Sequence, residues 1–259
     1  MESILIEKQG GVATLTLNRS KSFNSFNREM ALNLQAKLDE CNADKAIRAI
    51  VITGEGKAFC AGQDLVEVTD QAQNPGFREI LDVHYSPIIQ KIRNTAKPVV
   101  AAVNGVAAGA GANIALACDI VVAHEKVSFI QAFSGIGLIP DSGGTFFLPR
   151  LIGFQKATAI AMLGDKIRAE EAERMGMIYK VIPLADFKEE VNTLAKRLAS
   201  MPTKGLALTK AAFNAALTND LDAQLQVESD LQIEASETAD YKEGVSAFIE
   251  KRKPNFKGE

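Results

Sequence analysis

Histidine is nearly absent: His84 and His124 are the two in 259 residues. So few imidazoles exclude a histidine-rich metal centre and argue against a Ser-His-Asp triad. Cysteine is equally scarce. Cys41, Cys60 and Cys118 lie far apart among apolar residues, so they read as reduced core thiols of a cytosolic protein, not as a disulfide framework or metal cluster. A large excess of charge is missing too. The net of −3 leaves no basic field to draw nucleic acid or an anionic membrane. Long hydrophobic runs are also lacking. Met1-Glu2-Ser3-Ile4-Leu5-Ile6 has no basic n-region, and no run is long enough to span a bilayer, so a cytoplasmic chain is expected. What remains, 47% hydrophobic and 24% charged residues, fits one large globular domain or a domain with an appendage.

One stretch organises the rest. Pro98 to Val103 is continuously apolar and β-branched, as a strand covered on both faces would be. Asn104-Gly105 ends it, and Gly109-Ala110-Gly111 opens a helix of small residues. Such a helix start leaves its first N–H groups bare, a place for resting or developing negative charge. The small residues also read simply as allowing a helix to pack closely on a sheet. A dinucleotide fingerprint is excluded, because its third glycine would fall at Ile114 and no acidic residue sits at the distance needed for a ribose.

Around this stretch the periodicity predicts alternating elements. Ile4 and Ile6, Gly10-Gly11, then Ala13, Leu15 and Leu17 predict a β-hairpin. A polar loop over 18–24 leads to a helix over 26–41, with Met30, Leu34, Leu38 and Cys41 on one face. Strands are expected over 49–53, 119–123, 127–130 and 180–182, and short helices over 155–163 and 169–175. Asp70 to Gly76 predicts a mobile loop, and Ile80, Leu81, Ile88, Ile89 and Ile92 a helix after it. The glycine-rich 133–149 is expected to form no single regular element. From about Asp186 only amphipathic helices are expected, too thin to hold a core alone, so they pack on the main domain and on another subunit. Strand and helix units recur at roughly fifty-residue spacing, a weak repeat signal.

Four stretches resemble the enoyl-CoA hydratase/isomerase (crotonase) family. Lys57-Ala58-Phe59-Cys60-Ala61-Gly62-Gln63-Asp64-Leu65 is similar to its first oxyanion loop. Asn104-Gly105 through Gly111, with Cys118-Asp119-Ile120, is similar to its second. Ile139-Pro140-Asp141-Ser142-Gly143-Gly144-Thr145, with Leu148-Pro149-Arg150, resembles its catalytic turn, and Lys251-Arg252-Lys253-Pro254-Asn255-Phe256-Lys257 its C-terminal tail. The resemblance runs the length of the chain. It implies an α/β fold, a right-handed spiral of strand-strand-helix turns over 1–185 that binds acyl-CoA and carries the chemistry. It also implies a helical region over 186–259 that builds homotrimers or paired trimers. The substrate would be an acyl-CoA thioester, with coenzyme A part of the substrate and no separate cofactor or metal.

Matched residue by residue, the resemblance implies that the backbone N–H groups of Gln63 and Ala110 hold the thioester oxygen, Ala110 standing where most members have glycine. Gly62 and Gly109 belong to the same two loops. Ala61 and Leu65 are expected against the adenine and Lys21 against the CoA phosphates. Phe256 and Lys257 are expected against a neighbour's CoA, or else as a frayed end. Asp64 either orients its loop or caps the following helix. Family hydratases use two glutamates, and here Asn113 and Phe133 occupy those positions. Neither can take a proton, so paired-carboxylate hydration is disabled. Asn113 is expected to bond a ligand or water, and Phe133 to make an apolar wall suited to an aromatic-derived ring. Asp141 remains, either as a helix N-cap or as a single acid and base. Gln131-Ala132-Phe133-Ser134 with Gly137-Leu138-Ile139-Pro140-Asp141 is similar to ring-opening isomerases of the family. Those convert the 1,2-epoxide of phenylacetyl-CoA to the oxepin and also move 3-enoyl double bonds to the 2-position. An isomerase is therefore expected, with a hydratase working through Asp141 and a water on Asn113, or a non-catalytic acyl-CoA binder, as alternatives.

Overall fold

The structure is a computed structural model that describes residues 2–70 and 74–259. Residues 71–73, in the loop expected between Asp70 and Gly76, lie outside the described residues. Strands β1 (Ile4–Gln9) and β2 (Val12–Leu17) form the expected hairpin, pairing Ile4 with Leu17. Helix α1 (Arg28–Ala43) starts where the Asn27 side chain accepts the Met30 N–H, and it buries Met30, Ala31, Leu34, Leu38 and Cys41. After β3 (Ala49–Gly54) come β4 (Ala58–Cys60), which the sequence pattern did not predict, and α2 (Leu65–Thr69).

Helix α3 (Phe77–Glu79) runs through one π-helical turn, Ile80–Tyr85, into α4 (Ser86–Asn94). Pro87 explains the wide turn, because it has no N–H to give the Val83 carbonyl. Gln35 Nε2 donates to that carbonyl instead at 2.8 Å, and to the His84 carbonyl at 3.0 Å. The Ser86 N–H reaches back to Leu81.

The organising stretch folds as β5 (Val99–Val103), β6 (Val106–Ala108) and α5 (Ala110–Ala117). The turn between β5 and β6 requires glycine, since a Cβ on Gly105 would lie 2.2 Å from the Lys57 carbonyl oxygen. Next come β7 (Ile120–His124), β8 (Ser128–Ile130), α6 (Gly144–Ile152), α7 (Phe154–Leu163), β9 (Lys166–Arg168), α8 (Ala169–Arg174) and β10 (Lys180–Ile182). As expected, 133–149 is no single element: a 3₁₀ turn over Ser134–Ile136 and an irregular stretch precede α6. Ser142 and Gly143 turn sharply at φ of 49° and 75°, and a helix then runs through Pro149. The chain ends in α9 (Phe187–Ala199), α10 (Thr203–Ala216), α11 (Leu221–Ser236) and α12 (Ala239–Ile249).

The strands form a six-stranded sheet, β1-β2-β3-β5-β7-β10, and a four-stranded sheet, β4-β6-β8-β9. The first is parallel from β2 onward. Each pass lays one strand in the first sheet and the next in the second: β3 then β4, β5 then β6, β7 then β8. Helices return the chain, as parallel pairing requires, and this produces the weak repeat. Both faces of the larger sheet are covered. Ile50 and Ile52 join the main core with α1 and α5, while Ala49, Val51, Val100 and Val122 pack against Phe187, Val191, Ala195 and Leu198 of α9.

A buried polar joint ties α10 to this core. Lys210 Nζ meets Asp119 Oδ2 at 2.8 Å and the Ile92 carbonyl at 2.6 Å, and Arg93 Nη1 meets Asp119 Oδ1 at 3.2 Å. The Val99 N–H also donates to Asp119 Oδ2 at 2.8 Å.

Candidate active site

Two loops meet at the start of α5. Gly62 has φ of 94°, and a Cβ there would lie 3.0 Å from the Ala108 carbonyl oxygen and 3.4 Å from the Ala110 nitrogen. The Phe26 N–H donates to the Gly62 carbonyl at 2.7 Å, and the Asp64 N–H donates to the Phe26 carbonyl at 2.8 Å. This bridge leaves the Gln63 N–H on the opposite edge. Gly109 takes φ of 51° and ψ of −129°, which suits glycine alone, so Ala110 becomes the first residue of the helix. Its N–H has no acceptor inside the helix. Two main-chain donors thus come from touching loops, an arrangement suited to an oxygen that gains negative charge.

Side chains lock the first loop. Tyr85 donates to Gln63 Oε1 at 2.9 Å, and Gln63 Nε2 donates to Glu67 Oε2 at 2.9 Å. Tyr85 is buried and packs edge-on to Phe26, with ring centroids 5.9 Å apart. Burial foremost, then negative charge on neighbours that include Asp141, Glu67 and Asp64, pushes its hydroxyl well above the usual range. Asp64 caps α2, accepting the Val66 N–H at 3.0 Å, while its other oxygen pairs with Arg19 Nη2 at 2.7 Å. Gly62 N–H donates to Cys60 Sγ at 3.3 Å, and burial pushes that thiol up to about 12, so it is inert. Tyr85, Glu67, Arg19 and Gln131 escaped sequence reasoning. Tyr85, Arg19 and Gln131 have partners distant in sequence, while Glu67 sits one helical turn after Gln63.

The turn before α6 forms the other wall. Asp141 does not cap this helix, which starts from Gly143 without a side-chain cap. Its Oδ1 accepts the Ser142 hydroxyl at 2.8 Å. Burial raises its pKa above the ordinary 3.8, against the opposing pull of that hydroxyl. The Asp141 carbonyl accepts Asn113 Nδ2 at 2.9 Å and the Gly144 N–H at 2.8 Å. Asn113 Oδ1 in turn accepts Gln131 Nε2 at 2.8 Å. Asn113, expected to bond a ligand or water, is fully buried and has each end of its amide bonded once to protein. Phe133 is buried, its ring 3.8 Å from where a Gly109 Cβ would be, so it lies beside the helix start.

The remaining expected residues are spread around the rim and tail. Ala61 is exposed, Leu65 is exposed on α2, and Lys21 is exposed in a 3₁₀ turn, Ser20–Ser22. The tail does not fray. The Lys257 and Gly258 N–H groups donate to the buried Asp240 carboxylate at 2.6 and 2.7 Å, and Arg48 Nη1 donates to the Phe256 carbonyl at 2.8 Å. The Phe256 ring packs over Gly244 of α12, while Lys257 stays exposed. Among the described residues no group of three or more His, Cys, Asp or Glu is placed to hold a metal ion.

A spiral of paired sheets with two backbone donors at a helix start defines a class. The chain belongs to the enoyl-CoA hydratase/isomerase family, whose model matches residues 7–259. It is 47% identical over 262 residues to the 1,2-epoxyphenylacetyl-CoA isomerase of Escherichia coli K12, across 100% of this chain and 99% of that one. It is 45% identical over 256 residues to a Rhodobacter capsulatus protein named "Probable enoyl-CoA hydratase", across 99% and 98% of the two chains. The crystal structure of enoyl-CoA hydratase from Bacillus anthracis matches with a TM-score of 0.92 at 33% identity, covering 99% of this chain and 100% of that one. The fold is therefore the crotonase fold, as the sequence motifs implied.

Proposed function

We propose that the protein is an acyl-CoA isomerase in which Asp141 is the single acid and base and the Gln63 and Ala110 N–H groups hold the thioester oxygen. The observation that carries this reading is the turn holding Asp141, which the Asn113 side chain ties to α5 one turn after Ala110. Asp141 is a half-buried carboxylate with raised proton affinity, while buried Asn113 and Phe133 stand where the family resemblance puts the glutamates of hydratases. With a 3-enoyl thioester, Asp141 takes a proton from carbon 2. The electron pair moves through the carbonyl, and the two N–H groups hold the resulting oxyanion better than the neutral oxygen. The same carboxyl then returns the proton to carbon 4, leaving the double bond between carbons 2 and 3. A raised pKa suits a group that must both take and give a proton near neutral pH.

The relative named 1,2-epoxyphenylacetyl-CoA isomerase supports a second substrate of the same class, the ring epoxide of an arylacetyl thioester. Phe133 gives that ring an apolar neighbour. The alternative is a hydratase working through Asp141 and a water on Asn113, whose amide keeps one hydrogen and one lone pair beyond its two protein bonds. Ala61, Gly62, Leu65, Gly109 and Lys21 are placed on the CoA side of the site in this reading, with Asp64 supporting the loop. Phe256 and Lys257 are placed toward a neighbour's CoA.

The assembly proposed is a homotrimer or a pair of trimers in the cytoplasm, with 1–185 as the catalytic core and 186–259 as the assembling region. Two unlike apolar surfaces support it: Ile139, Phe154 and Met162 on one side, and Phe213, Leu221 and Phe248 on the C-terminal helices. Among the described residues no helix is long and apolar enough to cross a membrane.

The test gives purified protein a 3-enoyl-CoA and a 2-enoyl-CoA and follows product mass and conjugated-thioester absorbance, with Asp141→Asn alongside. Isomerisation without a gain of water, lost in Asp141→Asn, is expected, as is oxepin formation from the epoxide. Fast hydration that survives Asp141→Asn would overturn the reading. Tight acyl-CoA binding without turnover would point to a silent binder.

A further inference from the structure

We infer that Asn113 is a positioning residue for Asp141 and that Gln131 sets the direction in which its amide points. The inference rests on Asp141 being the acid and base. Asn113 is 0% exposed, on α5 three residues after Ala110. Its orientation follows from its partners. A backbone carbonyl only accepts, so the NH₂ must face Asp141, and the oxygen must face the donating Nε2 of Gln131. Gln131 is 1% exposed, and its Oε1 has no hydrogen-bond partner. Its donating arm is thus the arm in use, inside a site where an unpaired amide oxygen is costly.

The turn that receives this bond needs support. Ser142, at φ of 49°, is a non-glycine residue in the left-handed region, followed by Gly143 at 75°. Such a conformation persists where neighbours over-determine it. Gly144 donates to the same Asp141 carbonyl, and a Cβ on Gly144 would lie 2.3 Å from Asn113 Nδ2, so the turn closes directly on the amide. One short helix therefore carries an oxyanion donor at its first residue and the tether of the base one turn later. The distance from base to oxygen is set by α5 itself.

Asn113→Asp tests this with almost no change in volume. Its carboxyl can donate to the Asp141 carbonyl only while protonated, so the variant should gain an alkaline limb in kcat that the wild type lacks. Asp141 is the titratable side chain on the adjoining turn, and its acid limb should remain. Above that new limb kcat should fall about 10- to 100-fold, as expected for a displaced catalytic group, with KM for the thioester within a few-fold of wild type. Gln131→Leu, which leaves Asn113 in place but free to turn, should lower kcat by a smaller factor without the alkaline limb. Thermal melts and binding of a saturated acyl-CoA confirm folding. If Asp141→Asn stays active, the acid and base assignment fails. If Asp141→Asn is inactive while Asn113→Asp keeps wild-type kcat, or loses kcat equally at every pH, the assignment stands and the positioning role is overturned.

Discussion

Two aspartates sit at opposite sides of α5 and are treated in opposite ways. Asp119, just beyond the end of the helix, has its oxygens taken by Arg93, Lys210 and the Val99 N–H. Asp141, across from the start of the helix, receives one hydroxyl from its own neighbour Ser142. The first is a joint, a carboxylate whose bonding capacity is saturated so that it fixes two elements together. The second is half-buried with capacity left over, and the loss of water around it raises its affinity for a proton because few donors offset that loss. The same residue type is made structural or reactive by the number of donors the fold supplies.

The largest effect that would sharpen this contrast is Asp141→Asn, with an expected loss of about 10³-fold or more in kcat. Its stability should move the other way. The folded pKa is raised, so the contribution of Asp141 to stability is full below its ordinary value and is lost as pH rises through the folded value. At pH 7 the carboxylate is therefore a burden, and Asp141→Asn should melt higher than wild type. Near pH 3 the advantage should vanish. A lower melting temperature at pH 7 would break the comparison.

Next comes the main chain facing Asp141. Ala110→Pro removes the N–H at the first helical position, where proline is tolerated, and should lower kcat by about 10²- to 10³-fold. Ala110→Gly keeps the N–H and should stay within a few-fold. Equal losses in the two variants would show that the side chain matters instead.

On the Asp119 side, Lys210→Met leaves a mostly buried carboxylate short of a partner. It should lower unfolding stability by about 3 kcal/mol in denaturant titration, with kcat within a few-fold of wild type. The smallest effect is expected for Tyr85→Phe, which frees the Gln63 side chain but not its N–H. A loss of about 1 kcal/mol, seen as a several-fold drop in kcat, is the expected size.

Sequence pattern made the larger sheet legible and the smaller one mostly illegible. β1, β2, β3, β5 and β7 run five or six residues, long enough for alternation or a continuous apolar run to show. β4, β6 and β9 have three residues each, and their partners lie in other passes of the chain, so nothing local marks them. The extent of α6, foreseen only as a helix that Asp141 could cap, was hidden because its first residue is glycine and Pro149 interrupts its pattern. At the site, the glycines at 62 and 109 and the lone Asp141 stand out in the sequence. The Tyr85–Gln63 and Gln131–Asn113 pairs do not, because hydrogen-bond partners 22 and 18 residues apart leave no spacing rule.

The main-chain character of the two donors also bears on how such a protein changes over generations. A mutation at codon 63 or 110 leaves an N–H in place unless it writes proline. Inheritance therefore protects the capacity to hold a charged oxygen, provided Gly62 and Gly109 keep their backbone turns. The opposite wall has no such protection, since a single base change can create or erase a carboxylate. Lineages built on this scaffold can try out proton donors there while the anion site stays intact, which makes an exchange of reaction type a short genetic step.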